Sequence, residues 1–246
     1  MNPVLIVTHL PDRAVGIVRQ SLRSAGCAVT ERNPADRVQL PSVTEISGVV
    51  SLGGRQSATR VDADPFIAAE VALLTAALRA RVPVLGMCLG AQLLAVAAGG
   101  RVTHTGGMYT GWPELVTLPA AADDPVCSAL PDRLPVLKWH EDMIELPPGA
   151  CALGATPGPG AALFRIGGCA WGSQAHLELT PPMLDAWLTD PADVAEVEGA
   201  GHDIETFRTQ SRSHLEVQMA AARPMFYAFG RLTSRVTSGN SVLRSR

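Results

Sequence analysis

The sequence predicts an α/β fold, with a mostly parallel central sheet flanked by helices, a mixed-strand extension and C-terminal helices. Three observations lead there. Short, continuously apolar runs alternate with segments whose apolar side chains recur at helical spacing, the pattern of parallel strands covered on both faces. Caps and glycine stops bracket the helical segments. The chain has 246 residues, 47% hydrophobic and 17% charged, so it is long enough to bury a core and too apolar to be disordered throughout.

Val4 to Thr8 reads as the first strand. Ala14, Val15, Val18 and Leu22 then follow at helical spacing until Gly26 stops them. Cys27 to Thr30 is a second strand, and Gly48 to Leu52 a third that runs into Gly53 and Gly54. Asp64 before Pro65 is a cap followed by the residue favoured at the first helical position, and Ile67, Val71, Leu74 and Leu78 line one face of a helix over 65–80. Val82 to Gly86 is the fourth strand, followed by a helix from Leu89 to Ala98 that Gly99 and Gly100 close. Runs at 114–118, 134–139, 150–153, 161–166 and 169–174 suggest antiparallel or mixed strands extending the same sheet. A helix follows Pro181 and Pro182 through Leu188, then a loop over 190–201 and a helix near 203–221, with Pro224 starting or kinking another.

Composition removes several functions. The net charge of −3 gives no basic footprint for nucleic acid. The single lysine, Lys138, follows Leu137, so the Gly-Lys-Ser/Thr core of a phosphate-cradling loop is missing. Five cysteines, at 27, 88, 127, 151 and 169, include no Cys-x-x-Cys pair and suggest neither a disulfide framework nor a zinc ribbon. With no signal-like start, they imply a reducing, cytoplasmic setting. Val82 to Gly100 carries no charge and is long enough for a membrane span, but Pro83, Gln92 and four glycines fit a buried strand, turn and helix instead.

The sharpest chemical signal is Gly86-Met87-Cys88-Leu89-Gly90, placed where a buried strand ends and a helix begins. It has the form of a nucleophile elbow with cysteine as nucleophile. The strained turn leaves no room for side chains two residues either side, and the helix start favours the thiolate. The Leu89 N–H can face an oxyanion, and a second donor is expected from the Gly53-Gly54 turn. A thiolate attacking a carbonyl needs an imidazole, and the imidazole an orienting acid. Three His-x-acid triplets compete, beginning at His140, His176 and His214. An acid at i+2 shares a face with the histidine on extended chain but lies about 200° away on a helix, which removes His214. His176 follows an apolar run that would bring it to a sheet edge beside the elbow, so it is read as the base, with His140 the runner-up. His9, His104 and His202 read as structural or exposed.

Gly53-Gly54, Gly86-Met87-Cys88-Leu89-Gly90-Ala91-Gln92, Trp139-His140-Glu141-Asp142, Leu146-Pro147-Pro148-Gly149 and Gln174-Ala175-His176-Leu177-Glu178 stand in the order and spacing of class I glutamine amidotransferases. Over about residues 4–190 the chain resembles stand-alone proteins similar to the amidotransferase domain of GMP synthetase. The resemblance implies a flavodoxin-like amidotransferase fold, with Cys88 as nucleophile, His176 as base, Glu178 as its partner and the Gly54 and Leu89 N–H groups as the oxyanion hole. It places Gln92, His140 and Glu141 along the substrate. Two positions depart from the family pattern. Ala175 replaces a usual aromatic and is expected to open space for larger γ-glutamyl amides, and Glu141 replaces a glycine near the substrate's amino-acid end.

The implied reaction is release of ammonia from glutamine through a γ-glutamyl thioester, with no metal or organic cofactor. The ammonia would pass to an ATP-dependent synthetase partner in trans. The alternatives are a γ-glutamyl amide hydrolase without a partner, a cysteine hydrolase of the dienelactone type, and a non-catalytic interaction subunit. Neither nucleic acid nor membrane is expected as a partner. The expected organisation is an amidotransferase-like domain over 1–190, a helical extension over 191–235 packed on it, and a flexible tail over 236–246, whose arginines lack acids.

Overall fold

The computed structural model describes residues 2–33, 36–158 and 160–242, with side chains described as far as Ser234. Five parallel strands form half of a nine-stranded sheet: β1 (Val4–Val7), β2 (Val29–Arg32), β3 (Gly48–Ser51), β4 (Val84–Met87) and, after the middle strands, β11 (Ala170–Ser173). β5 (Arg101–Gly111) and β8 (Lys138–Glu145) pair only with each other, as a separate antiparallel ribbon. The other half of the large sheet is β6 (Glu114–Thr117), β7 (Arg133–Pro135), β9 (Ala150–Ala155) and β10 (Leu163–Ile166). The strand order is β2-β1-β3-β4-β11-β10-β9-β6-β7, antiparallel from β11 onward.

Alternation along the parallel strands builds two core layers, because successive side chains point to opposite faces. Val4, Ile6, Val50 and Leu85 face α1 (Val18–Ser24) and α6 (Ile204–Val242), where Leu22, Met225, Phe226 and Phe229 are buried. Leu5, Val7, Val49 and Val84 face α2 (Pro65–Ala80) and α3 (Leu89–Ala97). Asp64 caps α2, accepting from Phe66 N at 2.9 Å. The uncharged stretch from Val82 to Gly100 is β4, a turn and α3 inside this core. Among the described residues no helix is long and apolar enough to cross a membrane.

Four expectations are corrected. The polar segment after Gly100 is a long strand, and the run from Leu134 to Trp139 divides between β7 in the large sheet and β8 in the ribbon. β5 is exposed along much of its length and so lacks the apolar run that would have marked it. The expected loop over 190–201 contains α5 (Pro191–Gly199). Its loop-forming residues are the helix's punctuation: Asp190 caps it, accepting from Ala192 N at 2.8 Å, and Pro191 opens the first turn. α6 runs through Pro224 without ending, because Ala222, Met225 and Phe226 on either side are held in the core. It also continues over 236–242, where a tail was expected, since extending a formed helix costs little once it is nucleated. The rest of that expected tail, 243–246, lies outside the described residues. α4 (Pro181–Trp187) forms where the two prolines foretold it.

Candidate active site

Register brings four chain segments to one edge of the sheet. Val7 pairs with Ser51, Ser51 with Gly86, and Met87 with Ser173, so β1, β3, β4 and β11 all end at the same level. The residues that follow are Thr8-His9, Leu52-Gly53-Gly54, Cys88 and Gln174 to His176. In parallel α/β sheets this carboxyl edge is where ligands bind.

Cys88 occupies the turn between β4 and α3 at φ 49°, ψ −109°, a conformation that a non-glycine residue holds only when its surroundings impose it. Gly86 and Gly90 are those surroundings. A Cβ on Gly86 would lie 2.5 Å from the Gly90 carbonyl oxygen, and one on Gly90 would lie 2.1 Å from that of Ser51. Cys88 N donates to Ser173 O at 2.8 Å, tying the turn to β11. The thiol is buried, with Trp139 O at 3.6 Å and Gln174 Nε2 at 3.8 Å from Sγ.

His176 and Glu178 lie beyond the end of β11, in a turn, with His176 Nδ1 2.8 Å from Glu178 Oε1. Both are buried. The chain there is fixed from two sides: His176 N donates to Leu137 O at 2.8 Å, and Gln218 of α6 donates to His176 O at 2.8 Å while accepting from Leu137 N at 2.9 Å. Burial opposes a charge on His176, but the neighbouring Cys88 and Glu178 override it and raise its pKa well above the ordinary value. The shift favours the protonated form of the imidazole beside the sulfur.

Cys88, His176, Glu178, Gly54, Gln92, His140 and Glu141 all line one cavity of about 230 Å³. That is below the roughly 300–1,000 Å³ of drug-sized sites and suits an amino-acid-sized molecule. Leu89 opens α3 directly after Cys88. Gln92 donates through Nε2 to Asp142 O at 3.1 Å. The Glu141 side chain is exposed, and its carbonyl oxygen already accepts from Thr105 Oγ1 at 2.6 Å. Among the described residues no group of three or more His, Cys, Asp or Glu side chains is arranged to hold a metal.

His140 is shifted in the direction opposite to His176. Its Nδ1 donates to the Asp142 carbonyl at 3.0 Å, while the Asp142 carboxylate is engaged by Ser57 and His104. Its ring stacks on Tyr109 at 5.6 Å. Burial, then the nearby Lys138 charge, pushes its pKa down to about 3. Because this value lies below that of a free histidine, the unfolded chain takes up a proton near pH 6.5 that the folded chain refuses until about pH 3. The stability due to neutral His140 is thus complete above pH 6.5 and lost as the pH falls toward 3. Replacing it with glutamine, which keeps a donor for Asp142, is expected to flatten the fall in melting temperature between pH 7 and about pH 5. Identical slopes for variant and wild type would contradict this.

Ala175 corrects the sequence reading. It packs in the core with Val15 and Leu177 and does not line the cavity, so it opens no space for a larger substrate. The aromatic wall comes from Trp187 of α4, whose ring stands edge-on to His176 at 5.1 Å and to Trp139 at 5.7 Å. Sequence reasoning also missed α5, which bears on the cavity: Asp193 pairs with Arg55, and Glu196 accepts from Trp139 Nε1 at 2.7 Å. Asp and Glu on a segment read as loop gave no signal. His9, expected to be structural or exposed, is buried against Glu70. His214 is half-buried beside Trp112.

Comparison with known proteins accords with this geometry. The family model described as glutamine amidotransferase class-I matches residues 12–188. The glutamine amidotransferase-like protein YfeJ of Salmonella typhimurium is 29% identical over 163 residues, covering 65% of this chain and 68% of YfeJ. A glutamine-hydrolyzing GMP synthase subunit of Haloarcula marismortui is 32% identical over 143 residues, or 58% of this chain. The match spans 64% of the Haloarcula protein, just under two thirds of its length. The crystal structure of a glutamine amidotransferase from Thermotoga maritima superposes with a TM-score of 0.80 at 25% identity, over 93% of this chain and 98% of that one.

Proposed function

Since the chain belongs to the class-I glutamine amidotransferase family, we propose that it hydrolyses the γ-carboxamide of glutamine to glutamate and ammonia, with Cys88 as nucleophile, His176 as acid and base, and Glu178 as the group that orients His176. One observation carries the reading. A cysteine held in a strained elbow shares a small cavity with a buried histidine whose far nitrogen is fixed by a carboxylate.

The Cys88 thiolate attacks the carboxamide carbon, and the electron pair moves to the oxygen, which the Gly54 and Leu89 N–H groups receive. His176 gives its proton to the departing nitrogen as the C–N bond breaks, leaving ammonia and a γ-glutamyl thioester. Neutral His176 then takes a proton from water, whose oxygen attacks the thioester. Collapse releases glutamate and restores the thiolate–imidazolium pair. Glu178 stays ionised throughout and keeps Nδ1 protonated. All five cysteines are free thiols, in keeping with a cytoplasmic setting.

Delivery of the ammonia to an ATP-dependent synthetase in trans is supported by the likeness to a relative named as one subunit of a GMP synthase. Hydrolysis of bulkier γ-glutamyl amides loses its support once Ala175 lies outside the cavity. The purified protein is expected to release glutamate and ammonia from glutamine in equal amounts, faster when the correct synthetase and its substrates are added. Absence of turnover under both conditions, with Cys88 still titratable by a thiol reagent, would overturn the proposal.

A further inference from the structure

The buried polar cluster of His9, Glu70 and Ser51 lies outside the Cys88–His176–Glu178 set, directly beneath the Gly53-Gly54 turn. His9 Nε2 donates to Glu70 Oε2 at 2.7 Å, and Ser51 Oγ donates to Glu70 Oε1 at 2.6 Å. The side chains of His9 and Glu70 are both fully buried, and Ser51 is buried as well. One carboxylate of α2 thus grips the carboxyl ends of two strands. His9 stands just beyond β1, and Ser51 is the last residue of β3, two positions before Gly53.

Packing ties the cluster to the turn. A Cβ on Gly54 would lie 2.5 Å from His9 Cβ, and a Cβ on Gly53 would lie 2.6 Å from His176 Cε1. The turn is therefore enclosed between the His9 side chain below and the His176 ring above. On its other flank Gly90 N donates to Leu52 O at 3.2 Å. His9 Nδ1 faces the Leu52 and Gly53 carbonyls without closing a hydrogen bond of normal geometry. In a trans peptide the carbonyl and the following N–H point to opposite sides. A Gly53 carbonyl drawn toward His9 therefore sends the Gly54 N–H away from His9, to the cavity side that Gly54 lines.

A buried ion pair contributes little to stability, since desolvation offsets most of the attraction. Burial disfavours a charge on His9, yet the Glu70 carboxylate outweighs it and raises the pKa above the ordinary value. The geometry makes Nε2 the donor to Glu70 and leaves Nδ1 facing the Leu52 and Gly53 carbonyls.

We propose that the His9–Glu70 pair, steadied by Ser51, is a positioning device that holds the Gly53–Gly54 peptide with its N–H directed at the developing oxyanion. This rests on the reading of Cys88 as an acyl-accepting nucleophile. His9 and Glu70 touch no substrate and act only through the turn.

The test separates oxyanion stabilisation from thiolate reactivity. Acylation of Cys88 by p-nitrophenyl acetate passes through a tetrahedral oxyanion, whereas alkylation by iodoacetamide does not. Each rate is measured in wild type, His9→Gln, Glu70→Gln and Ser51→Ala, with Cys88→Ala as blank. Loss of one oxyanion donor typically costs about 10²–10³ in rate. His9→Gln and Glu70→Gln are expected to slow acylation by at least about tenfold, with alkylation unchanged within about twofold. For glutamine, kcat should fall at near-constant KM. Ser51→Ala, a mild change, should show the same split at smaller size and decides the matter where the other two fail to fold. Equal loss in both rates, or none in acylation, overturns the proposal. If wild type turns over no glutamine but the acylation–alkylation split persists, the functional reading fails and the positioning role stands.

Discussion

Replacing Cys88 by alanine is expected to abolish glutamine hydrolysis, by at least about a thousandfold, while leaving the fold intact. The rate loss follows from removing the group in the cavity placed to form a covalent intermediate, and removal of a nucleophile in such a constellation costs about as much as removing the whole set. The fold survives because the elbow is shaped by close packing of Gly86, Gly90 and Ser51 and by the bond from the backbone N–H of residue 88 to Ser173 O, none of which involves sulfur. Alanine keeps the Cβ, so the positive φ costs what it cost before. The sulfur's own contacts, at 3.6 and 3.8 Å, are weak. One further change is expected in the variant. His176 loses the neighbouring sulfur that helps raise its pKa, so its pKa should drop, visible as a shifted imidazole titration by NMR. Ammonia release and thermal melts check the rest. Activity above a few percent of wild type would exclude Cys88 as nucleophile, and a collapsed melting temperature would show that the thiol, not the glycines, shapes the turn.

The elbow was legible in the sequence because its geometry needs particular residues at fixed spacing: glycine at 86 and 90 has a steric cause that survives without coordinates. The same holds for the parallel strands, whose two-sided burial leaves continuous apolar runs at 4–7, 48–50 and 84–87. The rule that favoured His176 needs restating. Its acid at i+2 meets it in a turn past the strand end rather than on extended chain, and the sheet register delivers both to the elbow. What the sequence hid is what depends on distant partners. Glu70 looks like an exposed helical acid until α2 is laid against β1 and β3, where it becomes fully buried. Gln218, fourteen residues into a weakly amphipathic helix, gives no hint that it joins Leu137 to His176. The acids of α5 and the ring of Trp187 reach the cavity only through the packing of helices whose order in space local pattern does not encode.

Substituting asparagine for His176 is expected to lower kcat/KM for glutamine by at least about a hundredfold, the usual worth of a general acid–base, and substituting asparagine for His140 by much less. Both histidines line the cavity, both are followed at i+2 by an acid, and asparagine preserves a donor near the Nδ1 position in each, so the comparison isolates proton transfer. The two environments push the rings in opposite directions. His176, between Cys88 and Glu178, has its pKa raised well above the ordinary value, which suits it to supply the proton that ammonia takes as it leaves. His140 is pushed down to about 3 by burial and by Lys138, so near neutral pH it has no second proton to give, and its Nδ1–H is engaged by the Asp142 carbonyl. A ring in that state can shape the pocket or accept a hydrogen bond from substrate, which would show in KM. It cannot drive departure of the leaving group. His140→Asn should therefore keep the wild-type dependence of kcat on pH, and His176→Asn should lose the limb that reports its imidazole. The decisive measurement is kcat and KM for both variants across about pH 5 to 9, a range that spans the ordinary histidine pKa. If His140→Asn proves the slower enzyme, with its kcat losing the pH-dependent limb, the proton is carried by β8 and not by the turn after β11, and the roles assigned to the two histidines must be exchanged.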